Sequence, residues 1–319
     1  MNRPVYKLKS WIKPENLCWG FLSRNYYSGA LLKDNYDKIN WAYLSLNHSQ
    51  EAIEILNENV DKIYWNQLSY NEGAISLLKD NPDKINWNNL CFNFEGHRIL
   101  KDNLNKVNWN YLSLNNSDGA IELLKENQDK INWNKLCLNN GAITILEDNQ
   151  DKIDWDIIAE NDGAIDLMKK NFDKINWYYL NMNSNGAKIL KDYPENIIWS
   201  VLSGYTNDMK FLENNYDKIN WTALSLNRYG VQLLEKNKEK INWNKLALNM
   251  EAIDLFKDNY DKINWNYASN SSKIFEYDYK QMMLNHLDLS EEIIKEVLKP
   301  SRVFRNLELY GYDLEDMYD

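Results

Sequence analysis

Asp83-Lys84-Ile85-Asn86-Trp87-Asn88-Asn89-Leu90 is one of a dozen near-copies of a single phrase, and the spacing of the copies decides the fold. Counted by tryptophan, they stand at Trp19, Trp41, Trp65, Trp87, Trp109, Trp133, Trp155, Trp177, Trp199, Trp221, Trp243 and Trp265, 22 residues apart except for two steps of 24. Only Trp11 lies off this ladder. A fixed period of about 20 to 50 residues marks a stacked-repeat architecture, in which each unit is too small to bury its own apolar face and leans on its neighbours.

Within a unit, with Trp as position 0, the residue at −2 is always aliphatic and the residue at +3 is Leu or Ile in all but the last. Trp-x-x-Leu puts both side chains on one face of a short helix. A second apolar group falls at −13, −12, −10 and −9, as in Ala74-Ile75-Ser76-Leu77-Leu78, which is also a helical stripe. Asparagine punctuates both helices: +6 is Asn in ten of twelve units, and −6 is nearly as regular (Asn35, Asn59, Asn81, Asn103). Asn tolerates the left-handed conformation that ends a helix and caps the next one. For the Trp helix, Asn at −1 and Asp at −4 are both candidate caps.

The two 24-residue steps carry their extra pair after the +6 Asn, at Asn47-His48-Ser49-Gln50-Glu51 and Asn115-Asn116-Ser117-Asp118-Gly119. Insertions settle in exposed connections, so this place reads as a loop on one edge. The expected fold is an all-α solenoid of about twelve helix-pair repeats with a helical C-terminal cap. Residues 1–14 read as an N-terminal cap, 15–270 as the array, and 271–319 as an atypical last repeat, capping helices and an acidic tail. A leucine-rich-repeat-like α/β solenoid is the rival, but Leu at +3 breaks the alternation a strand needs.

The tryptophan column, Trp41, Trp65, Trp87, Trp109, Trp133, Trp155, Trp177, Trp221 and Trp243 in its regular part, reads as repeat core, since burying one Trp removes on the order of 150 to 250 Å² from water. In an open array, Trp155→Ala in the middle is expected to cost about 3 to 5 kcal/mol, and Trp19→Ala to fray one end unit.

The net charge is −10 and the lysines mostly neighbour an Asp or Glu, which argues against a phosphate-binding stripe and hence against nucleic acid. No apolar run approaches the roughly 20 residues of a membrane span, and the start lacks a signal-peptide core, so a soluble cytoplasmic protein is expected. Cys18, Cys91 and Cys137 read as small fillers and His48, His97 and His286 stand far apart, so neither a disulfide framework nor a metal site is expected. No nucleotide loop or nucleophile elbow is present, and neither a cofactor nor an enzymatic activity is anticipated.

The repeated unit, taken with the tail Ile293-Ile294-Lys295-Glu296-Val297-Leu298-Lys299-Pro300-Ser301-Arg302, resembles a family of short helical-repeat proteins abundant in giant DNA viruses of the mimivirus kind. The resemblance covers essentially residues 15 to 319. It implies the fold and a viral origin, with the host-cell cytoplasm or the virion as location, and brings no catalytic residues. The expected function is a protein-interaction scaffold or adaptor gripping a host or viral protein along roughly 100 Å of solenoid, at about 10 Å per helix-pair layer. A structural virion component is the alternative. Variable positions carry aromatic side chains suited to interfaces, and Tyr43, Tyr111, Tyr178, Tyr179 and Tyr267 are the candidate partner-binding residues. The unit leading to Trp199 departs most, with Tyr193, Asn196, Ile198 and Tyr205 at positions usually held by Asn, Lys, Asn and Asn.

Overall fold

In the computed structural model the described residues are 4–284, 299 and 302. The expected capping helices at Ser290–Pro300 and Ser301–Gly311, the acidic tail and His286 lie outside them, Lys299 and Arg302 apart. Two compact units are present, one being the repeat array Ser10–Ile274 and the other joining the two chain ends. In the latter, strand β1 (Tyr6–Leu8) pairs antiparallel with strand β2 (Phe275–Tyr277), Leu8 opposite Phe275. These three-residue strands are the only ones among the described residues, and neither lies in a repeat. The array is an all-α solenoid.

A regular unit holds a Trp helix, a second helix and a short 3₁₀ turn, as in Trp65–Leu68, Ile75–Asp80 and Pro82–Lys84. The Asn at −1 caps the Trp helix: Asn86 Oδ1 accepts from the N–H of Asn89, and Asp154 does the same for Asp156 and Ile157. That settles the choice of cap against the Asp at −4, because the 3₁₀ turn carrying that Asp ends before the helix begins. Leu at +3 and at −9 fill the interior; Leu44, Leu56, Leu68, Leu78 and Leu90 have no exposed surface. The Ile at −2 are buried beside them, Ile197 and Ile263 only in part. Every Trp of the ladder is only partly buried, packed against this interior from its flank. Leucine, rather than tryptophan, occupies the centre.

The two asparagine columns do different work. At −6, Asn sits at φ between −122° and −138°, so the left-handed ending is not used. Instead Asn59 Nδ2 donates to the carbonyl of Ile55 one helical turn back, and its Oδ1 accepts from Lys62. At +6, Asn is buried and reaches across units. Asn71 Nδ2 donates to the carbonyls of Ser45 (3.0 Å) and Asn47 (2.9 Å) of the preceding unit, while its Oδ1 caps the following turn at Gly73 N–H. The Ser at +4 adds a second link: Ser69 Oγ donates to the Trp65 carbonyl and accepts from the Asn86 N–H of the next unit, 3.0 Å away.

The extra pairs of the 24-residue steps lie, as expected, in a connection: His48-Ser49 and Asn116-Ser117 are non-helical residues between the +6 Asn and the second helix. That helix covers the same −15 to −7 positions as in a regular unit, but as one nine-residue α-helix, Gln50–Glu58 or Asp118–Glu126, where the regular unit has a 3₁₀ turn (Glu72–Ala74) and a shorter α-helix (Ile75–Asp80). Buried Ser49 caps the first of these at the Ala52 N–H.

Most consequentially, the array closes on itself. Asn25 Nδ2, in the first unit, donates to the carbonyls of Ser269 (3.1 Å) and Ser271 (3.0 Å) in the twelfth, and Cys18 N–H donates to Ser269 Oγ at 2.8 Å. These are the same links, at the same positions, that join neighbours elsewhere. The twelfth unit ends its own chain soon after the 3₁₀ turn Ser272–Ile274, and the turn that elsewhere precedes a Trp helix is supplied for Trp19 by Pro14–Asn16 from the N-terminal side. Asn16 Nδ2 donates to Tyr260 Oη at 2.7 Å, and Trp11 meets the same Tyr260 ring edge-on. The expectation of an open rod with fraying ends is thereby corrected: the repeat array is a ring, and residues 14–16 are part of its last unit.

Candidate interaction surface

On a Trp helix whose 0, +3 and +4 positions face neighbours, +1 and +2 point away, and the chain then turns through +5 before the buried +6 Asn. Helical geometry therefore leaves +1, +2 and +5 as the presenting positions. Tyr70 at +5 and Phe92 at +5 of the next unit lie with ring centroids 5.7 Å apart, and Phe92 meets Tyr111, at +2 of the unit after, at 4.9 Å. The result is an aromatic run across three units, with Tyr70 and Tyr111 exposed at 43% and 38%. Leu138, Leu226 and Leu248 continue the +5 column as exposed apolar side chains.

Of the candidate residues, Tyr43 is partly buried against Phe21, 5.8 Å between centroids. Tyr178 stands exposed at 51% with Tyr179 edge-on to it at 5.5 Å, and Tyr179 itself packs against the interior. Tyr267 is exposed. Tyr111 lies three units from the Tyr178/Tyr179 pair, with Lys135 and Ile157 at +2 between them, and its aromatic neighbours are Phe92 and Tyr70 instead. Sequence reading pointed to the columns; only packing shows which members touch.

The amides at −1 and +1 form a second row along the Trp helices. Asn108 Nδ2 donates to Asn88 Oδ1 at 2.8 Å and Asn132 Nδ2 to Asn110 Oδ1 at 2.7 Å, lining shallow grooves with Lys106, Trp109 and Lys130. Because these amides bond one another, their capacity for a ligand is largely used.

The lysines at −3 also depart from expectation. Lys84 and Lys152 pair with the neighbouring Asp83 and Asp151, but seven of the ten lie over the tryptophan of the preceding unit, among them Lys38 over Trp19 (4.5 Å), Lys106 over Trp87 (4.2 Å), Lys174 over Trp155 (4.7 Å) and Lys262 over Trp243 (4.4 Å). A half-buried indole face attracts an ammonium by its quadrupole while the lysine stem covers apolar surface.

The irregular unit becomes intelligible on this ground. Asn196 stands where Lys would cover Trp177, and Tyr193 covers it instead, 5.3 Å from Trp177 and 4.4 Å from Phe172. Asn181 replaces the +4 Ser, its Oδ1 accepting from the Ile198 N–H at 2.7 Å. Thr206, one place late, offers its carbonyl to Asn227 Nδ2 at 2.8 Å. Thr206 Oγ1 also accepts from the Asp208 N–H, as the +6 Asn side chain does two residues on, whereas the Asn donation to two carbonyls of the preceding unit has no counterpart from Thr206.

Cys91 and Cys137 occupy the +4 position of their units. Cys91 Sγ lies 3.1 Å from the Trp87 carbonyl, and burial pushes its thiol up to about 11; burial likewise raises Cys137. A raised thiol is a poor nucleophile, so these are structural substitutes for serine. Among the described residues no group of His, Cys, Asp and Glu is arranged to hold a metal ion, and no helix is long and apolar enough to cross a membrane. No protein-family model, curated protein or solved structure matches the chain.

Proposed function

We propose that this ring is a non-enzymatic protein-interaction scaffold, of the kind suggested by its resemblance to giant-virus repeat proteins, acting in the host-cell cytoplasm. The observation that carries the reading is the aromatic run Tyr70–Phe92–Tyr111, continuous across three units with Tyr70 and Tyr111 exposed. Exposed aromatics fixed by packing bring large contact area at small entropic cost, the property that makes Tyr an interface anchor. Closure alters the manner of gripping: a partner meets a curved band of twelve units rather than the length of an open rod.

The test is affinity capture of tagged full-length protein beside a Tyr70→Ser/Tyr111→Ser/Tyr178→Ser variant, with quantitative mass spectrometry and a thermal melt of each. A stoichiometric partner present for the parent and lost for the variant, at unchanged melting temperature, supports the scaffold. A partner retained by the variant rejects this surface. Recovery mainly of capsid or core proteins makes the molecule a particle component instead.

A further inference from the structure

The 3₁₀ turns at −5 to −3 form a second presenting row, on the connection opposite the +5 turn of each unit. At −5 stand Tyr36, Val60, Leu104, Phe172 and Tyr216, each between 37% and 44% exposed. Beside them at −4 is a carboxylate in eleven of the twelve units, exposed throughout. The next residue, lysine, would ordinarily neutralise that carboxylate, yet in seven units its ammonium is turned onto the preceding tryptophan. Among the described residues only Asp83 and Asp151 of this row come within 4 Å of a lysine. Tyr36, Phe172 and Tyr216 are held edge-on by the Trp of their own unit and still expose more than a third of their surface. The turn face therefore combines fixed, partly exposed apolar side chains with carboxylates whose obvious counter-ions are mostly engaged elsewhere.

We infer that this row docks a lysine- or arginine-rich polypeptide that also carries apolar side chains. Charge complementarity selects the occupant: a −4 carboxylate recurs in eleven of twelve units on a molecule of net charge −10, and where it stands beside an apolar or aromatic −5 residue, as at Tyr36-Asp37, Val60-Asp61, Phe172-Asp173 and Tyr216-Asp217, the pair favours a mixed basic and apolar chain over a purely cationic one. The inference stands on a different row from the +5 aromatics and does not depend on that reading.

The probe is a fluorescein-labelled peptide of Lys-Ala-Leu-Lys repeats, titrated by anisotropy with the full chain near physiological salt, with Glu- and Ser-for-Lys peptides alongside. Saturable binding of the lysine peptide alone is expected. Asp37→Asn/Asp61→Asn/Asp173→Asn, whose lysines lie on tryptophan, should weaken it by about tenfold, and Leu104→Ser/Phe172→Ser by about threefold or more. Asp80→Asn/Asp102→Asn/Asp148→Asn removes the same charge from position −7 and should change the affinity by less than about twofold. Thermal melts confirm that each variant is folded. Equal weakening by the two charge triples would show diffuse attraction to an acidic protein and overturn the proposal, as would absence of saturable binding, equal binding of the serine peptide, or indifference to the Leu104/Phe172 change.

Discussion

The interface between the twelfth and first units and the interface between any two middle units are built from the same atoms, although one joins residues 244 to 251 apart and the other joins residues about 20 to 26 apart. What distinguishes them is how they form. A contact between adjacent units closes a short loop, whereas the seam closes nearly the whole chain, at an entropic cost about 2 kcal/mol larger by loop-length scaling. The already curved stack reduces that cost by holding the ends near each other. Sequence neighbourhood thus differs from spatial neighbourhood at one place in twelve, and that place removes both ends of the array.

The sharpest way to break this equivalence is the +6 asparagine. Asn71→Ala in the middle and Asn25→Ala at the seam each orphan two buried carbonyls and one turn N–H, and each should destabilise by about 3 to 5 kcal/mol in urea titrations. A cost below about 1 kcal/mol for Asn25→Ala alone would mean that the ring opens at little expense. Next, Trp19→Ala and Trp155→Ala should cost about 2 to 4 kcal/mol each and agree within about 1, since both indoles are half-buried and bounded by a neighbour on either side. An open array would make Trp19 much the cheaper. Ser269→Ala at the seam should match Ser225→Ala, each losing about 1 to 2 kcal/mol with its two hydrogen bonds.

Cys91→Ser sharpens the comparison through pH. Because burial raises the folded thiol to about 11, its contribution is fully present below its unfolded value near 9 and declines as pH rises from there through about 11. The serine variant should lose that part of the alkaline slope, read as a narrowing gap between the two proteins from pH 9 upward, while differing by less than about 1 kcal/mol at neutral pH. Smallest of all, Asn81→Ala at −6 removes one partly exposed bond to the Leu77 carbonyl and should cost about 0.5 to 1 kcal/mol.

Much of the molecule was legible in the chain. The period and the two helices per unit follow from spacing, because 3.6-residue periodicity places 0 with +3 and −13 with −9. Spacing left two caps open for the Trp helix and gave the core to tryptophan by its size, where leucine holds the centre and the indoles its flank. The candidate tyrosines lay in columns that spacing identifies as outward. What spacing cannot express is the destination of a side chain whose partner belongs to another unit. Asn at +6 looks like an ordinary cap until its amide is seen spanning to Ser45 and Asn47. Lys at −3 looks like the partner of Asp at −4 until the indole behind it is located. Closure left one faint trace: the segment before Trp19 already carries Pro14-Glu15-Asn16-Leu17, the shape of a unit's final turn with no second helix before it. That turn belongs to a unit begun some 250 residues later.

A ring stitched in one manner around its circuit has no privileged place for its chain to begin. Leu8 and Phe275, which flank the array in sequence, are register partners and so lie one strand spacing apart. A short linker from Phe275 to Leu8 in place of the residues beyond them, with a new break in an exposed turn such as that before Gln128, leaves the twelve joints intact. Circular permutants of this chain should fold to the same ring wherever the cut falls between units, and those cut inside a Trp helix should not.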